Sequence, residues 1–128
     1  KINDGYLAQD SDLACLLPNL PELQHFHPHL QILVDGKDEV IPSNIGLLGS
    51  CHRPLHTHDT DGIIHVESQV VRDYTLGQFF KIWDKTILRK DYVLEVSVDN
   101  QMISDPTTIV LKDGENIVMR YTKVTDNQ

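Results

Sequence analysis

From Phe26 to Val34 the apolar residues Phe26, Leu30, Ile32 and Val34 fall on even positions, and His25, His27, His29 and Gln31 fall on odd ones. In an extended chain the two sets face opposite ways. The pattern therefore predicts a strand with a core face and a histidine face. Pro28 cannot donate a ladder hydrogen bond, which confines this stretch to a strand start or a sheet edge. Asp35-Gly36 is a hairpin turn signal, and a return strand is expected over 39–41, ahead of Pro42. Residues 63–68 read as another short strand, with Ile64 and Val66 opposite His65 and Glu67.

The period then changes. Thr75-x-x-Gln78 is a capping box. Leu76, Phe79, Phe80 and Trp83 follow at helical spacing. This predicts a short amphipathic helix over 75–85 with Trp83 buried. Strands are expected at 92–98, 108–111 and 117–121, with turns at Asp99-Asn100 and Asp113-Gly114. Residues 1–24 read as an irregular lead-in, with one helical turn over 13–17 stopped by Pro18 and Pro21. Residues 43–62 are loop-rich and 122–128 form a polar tail.

Residues 30–47 and 94–111 align without gaps, with identities at Leu30/Leu94, Val34/Val98, Asp35/Asp99, Pro42/Pro106, Ile45/Ile109 and Leu47/Leu111. Duplication and chance convergence of two hairpins both fit this. The expected fold is α+β: a mostly antiparallel sheet built from two similar ββ hairpin units, with one helix packed on it. A single domain spans 25–121.

Composition narrows the class. The chain has 128 residues, 40% hydrophobic and 23% charged, which suits one globular domain. Its net charge of −8 argues against a nucleic-acid or anionic-membrane binder, both of which need a basic face. No apolar run is long enough to insert into a membrane as a helix. The chain opens on Lys1 without an apolar signal segment, which reads as a processed product whose targeting segment has been removed.

All 7 histidines lie between His25 and His65. His25-x-His27-x-His29 and His56-x-His58-Asp59 place imidazoles on shared faces, and His65 and Glu67 share the polar face of their strand. Imidazole is the commonest ligand of zinc, copper and nickel, and open zinc sites use three histidines or two histidines and a carboxylate. The candidate ligands are His25, His27, His29, His56, His58, His65 and Asp59, with Glu67 as an outer carboxylate that orients them. A hydrogen-bonded His/Asp cluster without metal, or a pH sensor, is the competing reading. His52, in a loop beside Arg53-Pro54, is the weakest member. Asp59-Thr60-Asp61-Gly62 lacks the downstream spacing of an EF-hand and reads as a turn. Met102 and Met119 are remote in sequence, so a thioether-rich Cu(I) set is not evident and a divalent ion is favoured. No H-E-x-x-H, G-x-S-x-G, P-loop or G-x-G-x-x-G occurs.

Cys15 and Cys51 form no C-x-x-C pair. They read as one structural disulfide, which would place the chain outside the cytoplasm, or else as two unrelated buried thiols.

Three motifs run through the chain in order: H-x-H-x-H-L, C-x-x-x-L-H-T-H-D-x-x-G-I-I-H-x-E-S and Y-T-L-G-Q-F-F-x-I-W, with paired hairpins after them. Over residues 25–121 the chain resembles a little-characterised family of bacterial and archaeal extracytoplasmic domains, found behind a signal peptide or membrane anchor. The resemblance implies an extracytoplasmic home and a site at His25, His27, His29, Cys51, His56, His58, Asp59 and His65, but no activity. Members often carry an earlier cysteine, matched by position at Cys15. They commonly have an aromatic residue near position 53 or 54, where this chain has Arg53-Pro54.

Three readings follow. The leading one is an extracytoplasmic histidine-rich domain that binds copper or zinc for storage, delivery or metal-stabilised assembly. The second is a structural subunit of a cell-surface filament, joined to further copies by edge-strand pairing. The third is a small metalloenzyme.

Overall fold

The computed structural model describes residues 11–125. In chain order the strands are β1 (Gln24–Phe26), β2 (His29–Val34), β3 (Lys37–Glu39), β4 (Leu47–Leu48), β5 (Cys51–His52), β6 (Leu55–His56) and β7 (His65–Ser68). Helix α1 (Leu76–Trp83) follows, and then β8 (Tyr92–Val98), β9 (Gln101–Ile103) and β10 (Asn116–Lys123). The fold is α+β, as the hydrophobic pattern predicts.

Five strands make the larger sheet, in the order β3-β2-β10-β8-β9. The hairpins β2–β3 and β8–β9 flank β10, which runs antiparallel to β8 and parallel to β2. Both hairpins close in the same register, Val34 opposite Lys37 and Val98 opposite Gln101. Their turn residues all have positive φ: 50° and 80° at Asp35-Gly36, 48° and 72° at Asp99-Asn100. That is the backbone twist a two-residue hairpin turn requires.

The repeated aspartates also have a common task. Asp35 Oδ1 accepts the Lys123 N–H at 2.9 Å, and Asp99 Oδ1 accepts the Asn116 N–H at 3.0 Å. Each turn carboxylate thus grips one end of β10.

The return strands start earlier than the pattern predicts. β3 ends at Glu39, and Ile41 is buried beyond it. β9 follows its turn directly, whereas 108–111 gives only a 3₁₀ turn (Pro106–Thr108) and one bridge from Val110 to Thr75. A two-residue turn commits the next residues to pairing at once. Pro106, which has no N–H to donate, then favours a turn.

Helix α1 carries the expected capping box: Thr75 Oγ1 accepts the Gln78 N–H at 3.2 Å, and Gln78 Oε1 accepts the Thr75 N–H at 3.0 Å. Leu76, Phe79 and Phe80 enter the core. Trp83 is only half-buried, which corrects the expectation. It is the last helical residue, just before the left-handed cap Asp84. It packs against Phe79 and Phe80 and lies under the Lys85 ammonium, 5.2 Å from the ring centre.

The smaller sheet has the order β1-β7-β6, all antiparallel, and β4 pairs with β5 in a separate ribbon. The described part of the lead-in is docked against this side. Its helical turn sits at Ser11–Leu13 rather than 13–17, and Leu13 is fully buried in the core. Leu16 N–H donates to His52 O and Leu23 N–H to Ser68 O, each at 2.7 Å. Cys15 and Cys51 are joined in a disulfide with Cα atoms 5.2 Å apart, and no described cysteine is free.

Candidate metal centre

The centre strand of the small sheet fixes the site. Along β7, Val66 and Ser68 are buried and His65 and Glu67 face the other way. The neighbours obey the same alternation. Glu67 stands opposite His25 of β1, and His65 stands opposite His56 of β6, while Val66 meets Phe26 and Leu55 on the core face. Side chains directly opposite in an antiparallel pair are within reach of one another. Apolar facing therefore gathers imidazoles on one surface.

His27 and His58 lie just beyond their strands and complete the surface. The rings of His25 and His27 are 4.7 Å apart, His27 and His65 5.0 Å, His65 and His58 4.5 Å, and His58 and His56 4.9 Å. His65 also stacks on His56 at 5.8 Å with an interplanar angle of 3°. Two triads have ligand atoms that all lie within 4.8 Å of one another: His25–His27–His65 and His56–His58–Glu67. A third such group, Glu22–His25–Glu67, overlaps both.

His56 is the most constrained of these residues. Its side chain is 0% exposed. Its Nδ1–H donates to Arg53 O at 2.7 Å, which leaves Nε2 as the lone-pair nitrogen. That atom has no hydrogen-bond partner and stands 3.6 Å from Glu67 Oε2. An unanswered buried polar atom is destabilising by about 1–3 kcal/mol, so its survival asks for a function. The backbone holds it there. Thr57 is pinned the opposite way by its Oγ1–H to Pro42 O at 2.8 Å and by Ile45 N–H to its Oγ1 at 3.1 Å. Gly46, at φ +78°, leaves no room for a Cβ against Leu55 O and His56.

The electrostatics favour ligation. Burial, helped by the neighbouring imidazoles His58 and His52, pushes the His56 pKa down. His65 is lowered by burial and by His58, His27 and His56. Burial pulls Glu67 upward, but His56, Glu22, His25 and His65 together outweigh it and hold the carboxyl below its usual range. Near neutral pH this gives neutral imidazoles beside an ionised carboxylate, the protonation state that a divalent metal requires.

The remaining sequence candidates are placed as follows. His29 opens β2 in the other sheet, paired with Asn116 of β10, while it still bridges Ile63 on the side of the small sheet. Its Nε2–H donates to Asp61 O at 3.0 Å and its Nδ1 lies 3.0 Å from Asn116 Oδ1, so both ring nitrogens face protein oxygens. Asp59 is exposed and belongs to none of the three groups. Asp61 Oδ1 accepts the Ile63 N–H at 3.0 Å, in keeping with a turn at 59–62. His52 lies 6.1 Å from the His56 ring and outside the groups. Glu67, expected to be an outer partner, is a member of one triad, with a carboxylate oxygen within 4.8 Å of the His56 and His58 ligand atoms.

Two carboxylates escaped the sequence reading. Glu22 Oε1 is 3.1 Å from His25 Nδ1. Asp113 Oδ1 accepts the His27 backbone N–H at 2.8 Å and sits 3.7 Å from its Nδ1. The Glu22-x-x-His25 spacing was the one local signal for the first. Nothing local in sequence points to Asp113.

Compared with family models, with curated proteins and with solved structures, the chain matches none. Function therefore rests on the site itself.

Proposed function

We propose that this chain is a divalent-metal-binding domain, for copper or zinc, that works outside the cytoplasm in metal storage, delivery or metal-stabilised assembly. The observation that carries the reading is the fully buried His56, whose Nε2 has no hydrogen-bond partner and faces His58 and Glu67. The mixed imidazole and carboxylate donors suit zinc or Cu(II). Both methionines belong to the five-stranded sheet, Met119 in the core and Met102 exposed on β9, which speaks against a thioether Cu(I) site. The Cys15–Cys51 disulfide supports an oxidising compartment. That location agrees with the family whose motifs the chain resembles. Among the described residues no helix is long and apolar enough to cross a membrane.

Calorimetry with Cu(II) and Zn(II) tests the reading. The wild type should bind tightly, and His56→Ala/His58→Ala should abolish tight binding while His52→Ala changes little. Unchanged affinity and stoichiometry in the double variant would remove the proposal.

A filament or surface-subunit reading keeps one supporting observation. The two edges of the large sheet differ: β3 carries Lys37, Asp38 and Glu39, whereas β9 presents Gln101, Met102 and Ile103 without a charge. Charged edges resist strand pairing and uncharged ones permit it. Light scattering with and without chelator separates metal-driven assembly from a monomeric binder.

A further inference from the structure

We propose that the histidine surface is a two-ion centre, one ion in the His25–His27–His65 triad and one in the His56–His58–Glu67 triad, with the Glu67 carboxylate joining them. This deepens the metal-binding reading and rests on it.

The donors converge on the two triads, and the third group, Glu22–His25–Glu67, links them by taking one member from each. The two triads share no residue, and among the described residues no group of four or more gathers its ligand atoms within 4.8 Å. Filling one triad therefore leaves the other's donors free. Three protein ligands are a sufficient set for zinc or copper, with solvent completing the shell.

Between the triads stand two residues. His65 has its ring 5.0 Å from His27 and 4.5 Å from His58, so it faces both sets. Glu67 Oε2 is 3.3 Å from His25 Nε2 and 3.6 Å from His56 Nε2. One carboxylate oxygen thus lies between a nitrogen of the first triad and a nitrogen of the second. A carboxylate has two oxygens and about four lone-pair sites, enough to reach two cations at once.

The other ring nitrogens are engaged in a matching way. Nδ1 of His56 is tied to Arg53 O and Nδ1 of His25 lies on Glu22, so each presents Nε2 toward Glu67. Nδ1 of His27 stands toward Asp113. Such outer partners fix ring orientation and strengthen the ligand, typically by 10–100-fold in affinity. Two dications close together also need negative charge nearby, and Glu67, Glu22 and Asp113 supply it.

The experiment is a Cu(II) titration of the intact chain, read by native mass spectrometry and by electron paramagnetic resonance. The wild type should take two ions and show a spin-coupled spectrum rather than that of isolated Cu(II). His27→Ala and His58→Ala, both at exposed positions, should each leave one ion with an isolated-ion spectrum. Glu67→Gln should lower the second affinity and uncouple any two ions that remain. Circular dichroism should show all three variants folded. One ion per wild-type chain, or two uncoupled ions, overturns the two-ion proposal but leaves the metal-binding reading standing. No bound ion overturns both.

Discussion

His29 and His56 each mark the end of a strand, and their surroundings differ in kind. His29 begins β2 of the five-stranded sheet, where Asp61 O and the Asn116 amide meet both ring nitrogens. His56 ends β6 of the three-stranded sheet, where only Nδ1 is met and Nε2 is left toward His58 and Glu67. The contrast extends to the sheets. The larger one is built around β10, which two hairpins grip from either side, with Leu30, Ile32, Ile117 and Met119 buried. The smaller one buries Val66 and Leu55 but turns His25, His65 and Glu67 toward one another on its opposite face. A single count of 7 histidines conceals this division: His29 serves the fold, five gather on the donor surface and His52 belongs to neither set.

The largest expected effect comes from removing what fastens the small-sheet side. The Cys15–Cys51 bridge has a sequence separation of 36. Chain entropy for such a loop is worth roughly 4 kcal/mol. Cys15→Ser/Cys51→Ser should lower the unfolding free energy by about that amount in a denaturant titration. Hydrogen exchange should rise first over residues 11–24 and 47–56, while β8 and β10 stay protected. Uniform loss of protection across both sheets would show that the two sides are not separable in stability.

How much of this contrast was legible in the sequence depends on distance along the chain. Alternation around His25 and His65 gave the facing of both strands. The Thr75–Gln78 box gave the helix, and the two lone cysteines gave the bridge. What escaped were partnerships across the fold. His29 looks like a third member of an H-x-H-x-H set and still bridges Ile63, but it also opens the pairing of β2 with β10, and its ring meets Asp61 and Asn116 instead of the other imidazoles. Asp113 reaches His27 across 86 residues. The parallel pairing of β2 with β10 likewise has no local signature, because a parallel neighbour is set by the course of the whole chain. Glu67 was seen on the right face, but its approach to His25 and His56 at once needs three strands in register.

Acidity should separate the regions next. In the metal-free protein, burial holds His56 and His65 below the ordinary histidine value of 6.5. As pH falls through 6.5 the unfolded chain takes up protons that the folded chain resists. Stability is therefore full above 6.5 and declines toward the lower folded values. Glu67, held below its usual 4.5, extends the decline at still lower pH. Urea midpoints measured from pH 7.5 down to 5 should fall, and His56→Gln should flatten the part of the slope just below 6.5. Metal affinity should fall over the same range, since protons compete for the ligating nitrogens. A flat stability profile in the wild type would mean that the imidazoles are not desolvated as the packing requires.

The smallest effect is the sharpest test of the comparison. His29→Ala removes the hydrogen bond to Asp61 O and the contact with Asn116 Oδ1, and Gly62, at φ +82°, packs its backbone closely against that ring. Hydrogen bonds of this kind each contribute about 1 kcal/mol, partly offset because Asn116 and Asp61 lie where water can replace the ring. A loss of about 1 kcal/mol in folding stability is expected. Metal stoichiometry and affinity should not change, because both ring nitrogens are already engaged and no candidate group includes His29. The same substitution at His56 should give the reverse: metal affinity falls by more than about 100-fold, beyond what loss of an outer partner alone produces. Its stability changes less simply, since the orphaned Nε2 disappears together with the Nδ1–H bond to Arg53. If His29→Ala weakened metal binding as much as His56→Ala, the two histidines would belong to one site, and the separation of structural from donor imidazoles would fail.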